Sequence, residues 1–217
     1  MFFKSHLVPR IAALAVTCLT WYALYLQFQL APGFLTTKGT ILQDTLIRFF
    51  SYFAVITNFY VAVATSYVVV RPFREPASPS FLGSLALYTA ALPILYSLIQ
   101  GQPWTPQGTS LRTEQLFHYA VPFAFFVFWL IAVQKGRLTF GHSIGWLAYP
   151  ALFLIGIVYL GLEKGIYPYS FLDARIHDRK QIFINADIIL AAFVALGIVV
   201  VAIDRVLGRW SPEEEDD

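Results

Sequence analysis

Three stretches of the 217-residue chain place chemically competent side chains inside otherwise apolar sequence. "RFFSYFAVITNFYVAVA" carries Thr57 and Asn58, "TEQLFHYAVPFAFFVFWLIAV" carries His118, and "QIFINADIILAAF" carries Asn185 and Asp187. A hydroxyl paired with an imidazole can work as nucleophile and general base. His118 would take the proton of Thr57 as its oxygen attacks an ester carbonyl, then return that proton to the leaving alkoxide. Asn58, Asn185 or a tyrosine hydroxyl would face the oxyanion. Other chemistries find no pattern here. There is no HExxH, no histidine pair at helical spacing, no cysteine cluster, no P-loop, no dinucleotide fingerprint and no GxSxG elbow. Neither a metal nor a cofactor is expected.

Each residue also has a structural reading. A threonine in a membrane helix often bonds its own backbone one turn back. Asn58 would join helices through an interhelical hydrogen bond, and His118 would reach water from a helix end. Asp187 would pair with His118, orient its ring, or meet Arg179 or Lys180 at the interface. Ionisable groups inside a membrane are costly to place, which makes His118 and Asp187 functional candidates.

The elements that must position them follow from composition. The chain is 58% hydrophobic and 13% charged, with a mean hydropathy of +0.63. A soluble domain carries about 25% charged residues. The apolar residues form blocks at 11–31, 49–70, 81–99, 116–133, 144–162 and 182–203, each close to the ~20 residues of helix that cross a bilayer. Backbone groups in lipid must be satisfied internally, so the blocks read as helices. The expected fold is all-α: six transmembrane helices in one polytopic domain over 1–207, followed by an acidic, disordered tail at 208–217. The first block is too long for a secretory signal and lacks a clean cleavage site, so it reads as an uncleaved helix. The lone Cys18 makes no internal disulfide.

Six spans put both termini on one side. Lys4, Arg10, Arg71, Arg74, Lys135, Arg137, Arg205 and Arg209 fall there, spread evenly over its segments, while the remaining basic residues fall opposite. The even spread favours cytoplasmic termini in the cell (inner) membrane. The near-zero net charge of +2 offers no nucleic-acid surface, and nothing fixes an oligomeric state. The longer loops, rich in Pro, Gly, Tyr and Gln, lie on the opposite, outer side. Trp104, Tyr167, Tyr169 and Phe171 fit an interfacial aromatic belt. Thr57, Asn58, His118, Asn185 and Asp187 fall in the outer half, as do Gln27, Gln29, Tyr96, Gln100, Tyr159 and Glu163, and a cavity opening outward between the helices would gather them. Pro93, Pro122 and Pro150 lack the N–H that would serve the carbonyls of Thr89, His118 and Trp146, so those carbonyls need other partners.

"RFFSYFAVITN", "EQLFHYAVP" and "YPYSFLD" resemble a family of bacterial six-helix membrane proteins. That family is similar to the eukaryotic androgen-induced intramembrane threonine hydrolases, which cleave fatty acid esters of hydroxy fatty acids. The resemblance implies a lipid-ester hydrolase in the bilayer, with Thr57 as nucleophile, His118 as base and a fatty acyl ester as substrate. Bacterial relatives often carry a second helix-two threonine where this chain has Ala54. If that position matches the nucleophile, the hydroxyl is missing here. The alternative function is a small-molecule or lipid transporter, or a ligand-binding membrane protein, using the same pocket without covalent chemistry.

Overall fold

The computed structural model describes residues 7–30, 42–70, 78–99 and 106–210. The described residues form an all-α bundle with six spans long and apolar enough to cross a membrane. The protein is a multi-pass membrane protein embedded in the bilayer by that composition. The helices are α1 (Leu7–Leu30), α2 (Leu42–Phe50), α3 (Phe53–Val70), α4 (Pro79–Ile99), α5 (Thr109–Gln115), α6 (Val121–Ala132), α7 (Phe140–Gly145), α8 (Ala148–Lys164) and α9 (Arg179–Gly208). The end of the bundle holding the start of α1 and the end of α9 is called proximal below, and the other distal. Of the expected tail, residues 211–217 lie outside the described residues, as do Trp104 and Gln100.

Helices in lipid gain little from further exclusion of water, so packing and polar contacts hold them together. α1 lies along α3, joined by a Thr17–Thr65 hydroxyl bond of 2.9 Å and by the Trp21 indole donating to the Ser66 hydroxyl at 3.1 Å. α4 packs against α3, α6 and α9 and is the most enclosed span. Leu85 and Leu87 of α4 are buried in a core that also takes Phe125, Phe128 and Trp129 of α6.

Three expected spans are interrupted, each at a place where backbone bonding changes. The second block splits at Ser51–Tyr52, so α2 and α3 are separate helices. Ser51 caps the break by donating to the Arg48 carbonyl at 2.7 Å. The fourth starts earlier than expected, as α5, and passes into α6 through a π turn at Leu116–Ala120. There the Val121 N–H reaches back to the Leu116 carbonyl, immediately before Pro122. The wider turn is the local answer to a proline that cannot donate. The fifth breaks at Trp146–Leu147, between α7 and α8. Pro150 leaves the Trp146 carbonyl without its helical donor, and the Tyr88 hydroxyl of α4 supplies one at 2.7 Å.

At the proximal end, the α6–α7 turn is fastened to α9. The buried Asp204 carboxylate accepts the Leu138 N–H at 2.9 Å, and its main-chain carbonyl accepts the Gly136 N–H at 3.1 Å. Gly136 has φ +79° and lies against Gly208, where a Cβ on Gly208 would overlap the Gly136 backbone. The Lys135 ammonium donates to the Trp129 and Val133 carbonyls at the end of α6 and lies 4.1 Å from the Trp129 ring centroid. Burial lowers the Lys135 pKa from 10.5 to about 8, with the Asp204 charge opposing part of the effect.

Between those two values the unfolded chain holds a proton at Lys135 that the folded chain releases. The Lys135 contribution to stability therefore rises as pH climbs from about 8 toward 10.5 and is flat below that window. Thermal midpoints in detergent should show wild type gaining on Lys135→Met above about pH 8. A constant difference across the range contradicts the burial of this charge.

Candidate functional site

A cavity of about 830 Å³ opens in the distal half of the bundle, within the ~300–1,000 Å³ range of small-molecule sites. Its wall draws on the distal ends of α1, α3 and α4, on the first half of α8 and the middle of α9, on α2, α5 and the π turn, and on the loop 165–171, called the strap below. Phe53, Leu92, Phe117, Phe153 and Phe193 contribute apolar wall. Gln27, Arg48, Tyr96, Ser110, Glu114 and His118 contribute polar groups to it.

His118 sits within the π turn. Its ring stacks on Tyr96, with centroids 4.0 Å apart and planes 20° from parallel. Nδ1 lies 3.2 Å from the Glu114 carbonyl oxygen and 3.1 Å from a Glu114 carboxylate oxygen. A carbonyl can only accept, so the imidazole proton belongs on Nδ1. Its lone pair is then on Nε2, which makes no hydrogen bond among the described residues. The Glu114 carboxylate oxygen 3.1 Å from Nδ1 is buried and makes no hydrogen bond. The main-chain carbonyl of Glu114 is the group bonded to Nδ1, which leaves Nε2 as the nitrogen able to accept a proton.

Thr57 is fully buried on α3 but does not line the cavity. Its hydroxyl is 3.2 Å from the Tyr149 hydroxyl of α8 and makes no hydrogen bond to His118. Ala54, three residues earlier, does line the cavity. Positions three apart on a helix differ by about 60° around the axis, which turns the Ala54 methyl to the cavity and Thr57 toward α8.

Asn58 is fully buried and donates to the Ala54 carbonyl at 2.7 Å and, at 3.5 Å, to that of Phe117. In the π register Pro122 is the residue that would have served Phe117, so Asn58 meets a carbonyl left open by the proline. That is the helix-joining role. Asn185 donates to the Phe171 carbonyl at 2.7 Å and accepts from Gln181 at 2.8 Å, which anchors the strap to α9. Asp187 is exposed on α9 with no hydrogen bond or ion pair among the described residues, so it meets neither His118 nor Arg179 or Lys180. Tyr159 and Glu163 are likewise exposed, whereas Gln27 and Tyr96 join the cavity wall.

Tyr167, Tyr169 and Phe171, expected in an interfacial belt, line the cavity. The Tyr167 ring fills a notch at Gly161, where any Cβ would overlap it, and the Arg175 guanidinium stacks on it at 4.7 Å. Arg175 also forks onto Asp173 at 2.7–3.2 Å and holds that carboxyl below the usual carboxylate range. The Tyr169 hydroxyl accepts the Phe53 N–H at 2.8 Å and so caps the first turn of α3. Burial pushes the Tyr169 hydroxyl well above its ordinary pKa, so it stays protonated.

Glu114 and Tyr149 were not singled out by sequence reasoning, and Tyr169 was read only as a belt aromatic. Glu114 had a readable signal, its position four residues before His118 on one helical face. Tyr149 had none, since its contact with Thr57 depends on how α8 packs. Comparisons with family models, curated proteins and solved structures give no match.

Replacing Tyr169 by Phe leaves the Phe53 N–H without its partner. A thermal melt should show a loss of about 1–3 kcal/mol, the cost of a buried unsatisfied donor. Tyr52→Phe, which touches Tyr169 only through its ring, should leave the melt unchanged. Equal effects in both variants contradict the cap.

Proposed function

We propose that the protein holds an amphiphilic lipid, acyl chain against the aromatic wall and polar end beside Glu114 and His118. The observation that carries this reading is the 830 Å³ cavity, whose largely apolar and aromatic wall includes a small polar set with Glu114 and His118. An acyl chain loses water contact against the apolar wall, and its head finds hydrogen-bonding partners in the polar set. Proposed together with cytoplasmic termini, the cavity faces the outer side of the inner membrane.

The second reading is the lipid-ester hydrolase with Thr57 as nucleophile and His118 as base. In its favour is the His118 imidazole on the cavity wall, with Nδ1 bonded to the Glu114 carbonyl. It requires the Thr57 hydroxyl to leave Tyr149 and reach the cavity, where α3 now presents the Ala54 methyl. The binding reading requires no such movement and is therefore preferred.

Purified protein in nanodiscs should bind a fluorescent long-chain fatty ester saturably. Ala54→Phe, which fills the cavity, should weaken binding about tenfold or more, while Thr57→Ala leaves it intact. Equal binding by Ala54→Phe and wild type contradicts the cavity as the site. A fluorophosphonate probe should leave Thr57 unlabelled, and labelling there establishes the second reading.

A further inference from the structure

We infer that Arg137 and Arg209 hold the phosphate of an anionic phospholipid at the proximal membrane surface. The two residues follow Gly136 and Gly208, whose backbones meet so closely that a Cβ on Gly208 would lie 2.4 Å from the Gly136 Cα. Each arginine thus starts about 3.8 Å of chain from the same contact. The Asp204 carbonyl takes the Gly136 N–H and the Asp204 carboxylate takes the Leu138 N–H. The turn and the end of α9 therefore carry the two cations as one unit.

The other cations in this turn and helix end are occupied. The Lys135 ammonium donates to the Trp129 and Val133 carbonyls. Arg205 Nε donates to the Leu138 carbonyl at 3.2 Å, and its guanidinium lies 4.6 Å from the Phe140 ring centroid. Arg137 and Arg209 are exposed and make no hydrogen bond or ion pair among the described residues. Asp204 is the one acidic residue among the described residues of the proximal end, and it is only 1% exposed. Two guanidinium groups tethered at one backbone contact repel each other, and an anion bound between them replaces that repulsion with charge-assisted hydrogen bonds.

Depth and surroundings identify the anion. α9 has 30 residues, about 45 Å of helix, against ~30 Å of hydrocarbon. Its uncharged run ends at Ile203, and Arg209 follows about 9 Å further along the axis, where headgroups lie. A phosphodiester presents paired oxygens that match the guanidinium fork. Val206 and Trp210, beside Arg209, are 52% and 80% exposed, so an apolar surface adjoins the charge. A lipid covers both, whereas an inorganic ion meets only the charge. A choline head would bring its own cation beside two arginines, which favours a headgroup of net negative charge.

The test uses the delipidated full chain in a non-ionic detergent with an acyl-labelled fluorescent phosphatidylglycerol, read by anisotropy against unlabelled competitors. Phosphatidylglycerol should compete about tenfold or more better than phosphatidylcholine of the same acyl chains. The ratio should be the same in Ala54→Phe, which fills the distal cavity. The Arg137→Gln/Arg209→Gln double variant should bring the two lipids to within about twofold. Arg179→Gln/Lys180→Gln, which removes the same charge from the other end of α9, should keep the preference. Equal loss in that control, or no preference in wild type, overturns the inference. Displacement by millimolar inorganic phosphate overturns the lipid as occupant. Loss of the preference in Ala54→Phe assigns it to the cavity and overturns the inference. A preference that emerges only in Glu213→Gln/Glu214→Gln/Glu215→Gln makes the acidic tail the occupant and overturns it as well.

Discussion

A backbone carbonyl in lipid has no water to turn to, and the architecture follows from how this chain meets that demand where its prolines refuse to. Pro150 cannot serve Trp146, and Tyr88 crosses from α4 to do so. Pro122 disturbs the ladder around His118, and the chain answers with a π turn and with Asn58 reaching from α3 toward Phe117. The interruption between α2 and α3 is closed by Ser51 on one side and by Tyr169 on the other. Tyr88, Asn58 and Tyr169 each tie one helix to another element. The cavity lies beside the break at Ser51–Tyr52 and the π turn.

The two ends of the bundle are built for different purposes. The proximal end is fastened by direct backbone approach, Gly136 against Gly208, with Asp204 accepting from the turn it holds. Its one perturbed lysine is occupied by the carbonyls that end α6. The distal end has space, a polar set and an imidazole with one nitrogen committed and the other available. Asn58 and Asn185 act there as fasteners. One holds α3 to the π turn and the other holds the strap to α9. Asp187 belongs to neither group and stands exposed on α9.

The six spans were legible because block length and apolar content answer directly to bilayer thickness. The interruptions were half legible. Pro122 and Pro150 announced carbonyls in need of partners, but nothing in the spacing identified Asn58 or Tyr88 as the residues that supply them. At the site, His118 was legible as an ionisable group in an apolar run. The side to which Thr57 turns was not, since Ala54 and Thr57 share one helix face to within about 60° and only the packing of α8 separates them. Glu114 is a case of the opposite kind. Its spacing to His118 was in plain view, but a charged residue at the start of a helix does not stand out from its polar neighbours. The strap aromatics were assigned to the membrane surface by composition, and the notch at Gly161 that draws Tyr167 inward is visible only in three dimensions.

The central claim is that the distal cavity, and not the outer surface of the bundle, holds an acyl chain. Photo-crosslinking with a long-chain ester carrying a diazirine near its methyl end, followed by peptide mapping, tests it most directly. The account predicts adducts on the apolar cavity wall, at Phe117, Phe153 or Phe193, that disappear in Ala54→Phe. Adducts confined to outward-facing residues such as Phe123, Leu152 and Ile188, unchanged in that variant, would contradict it.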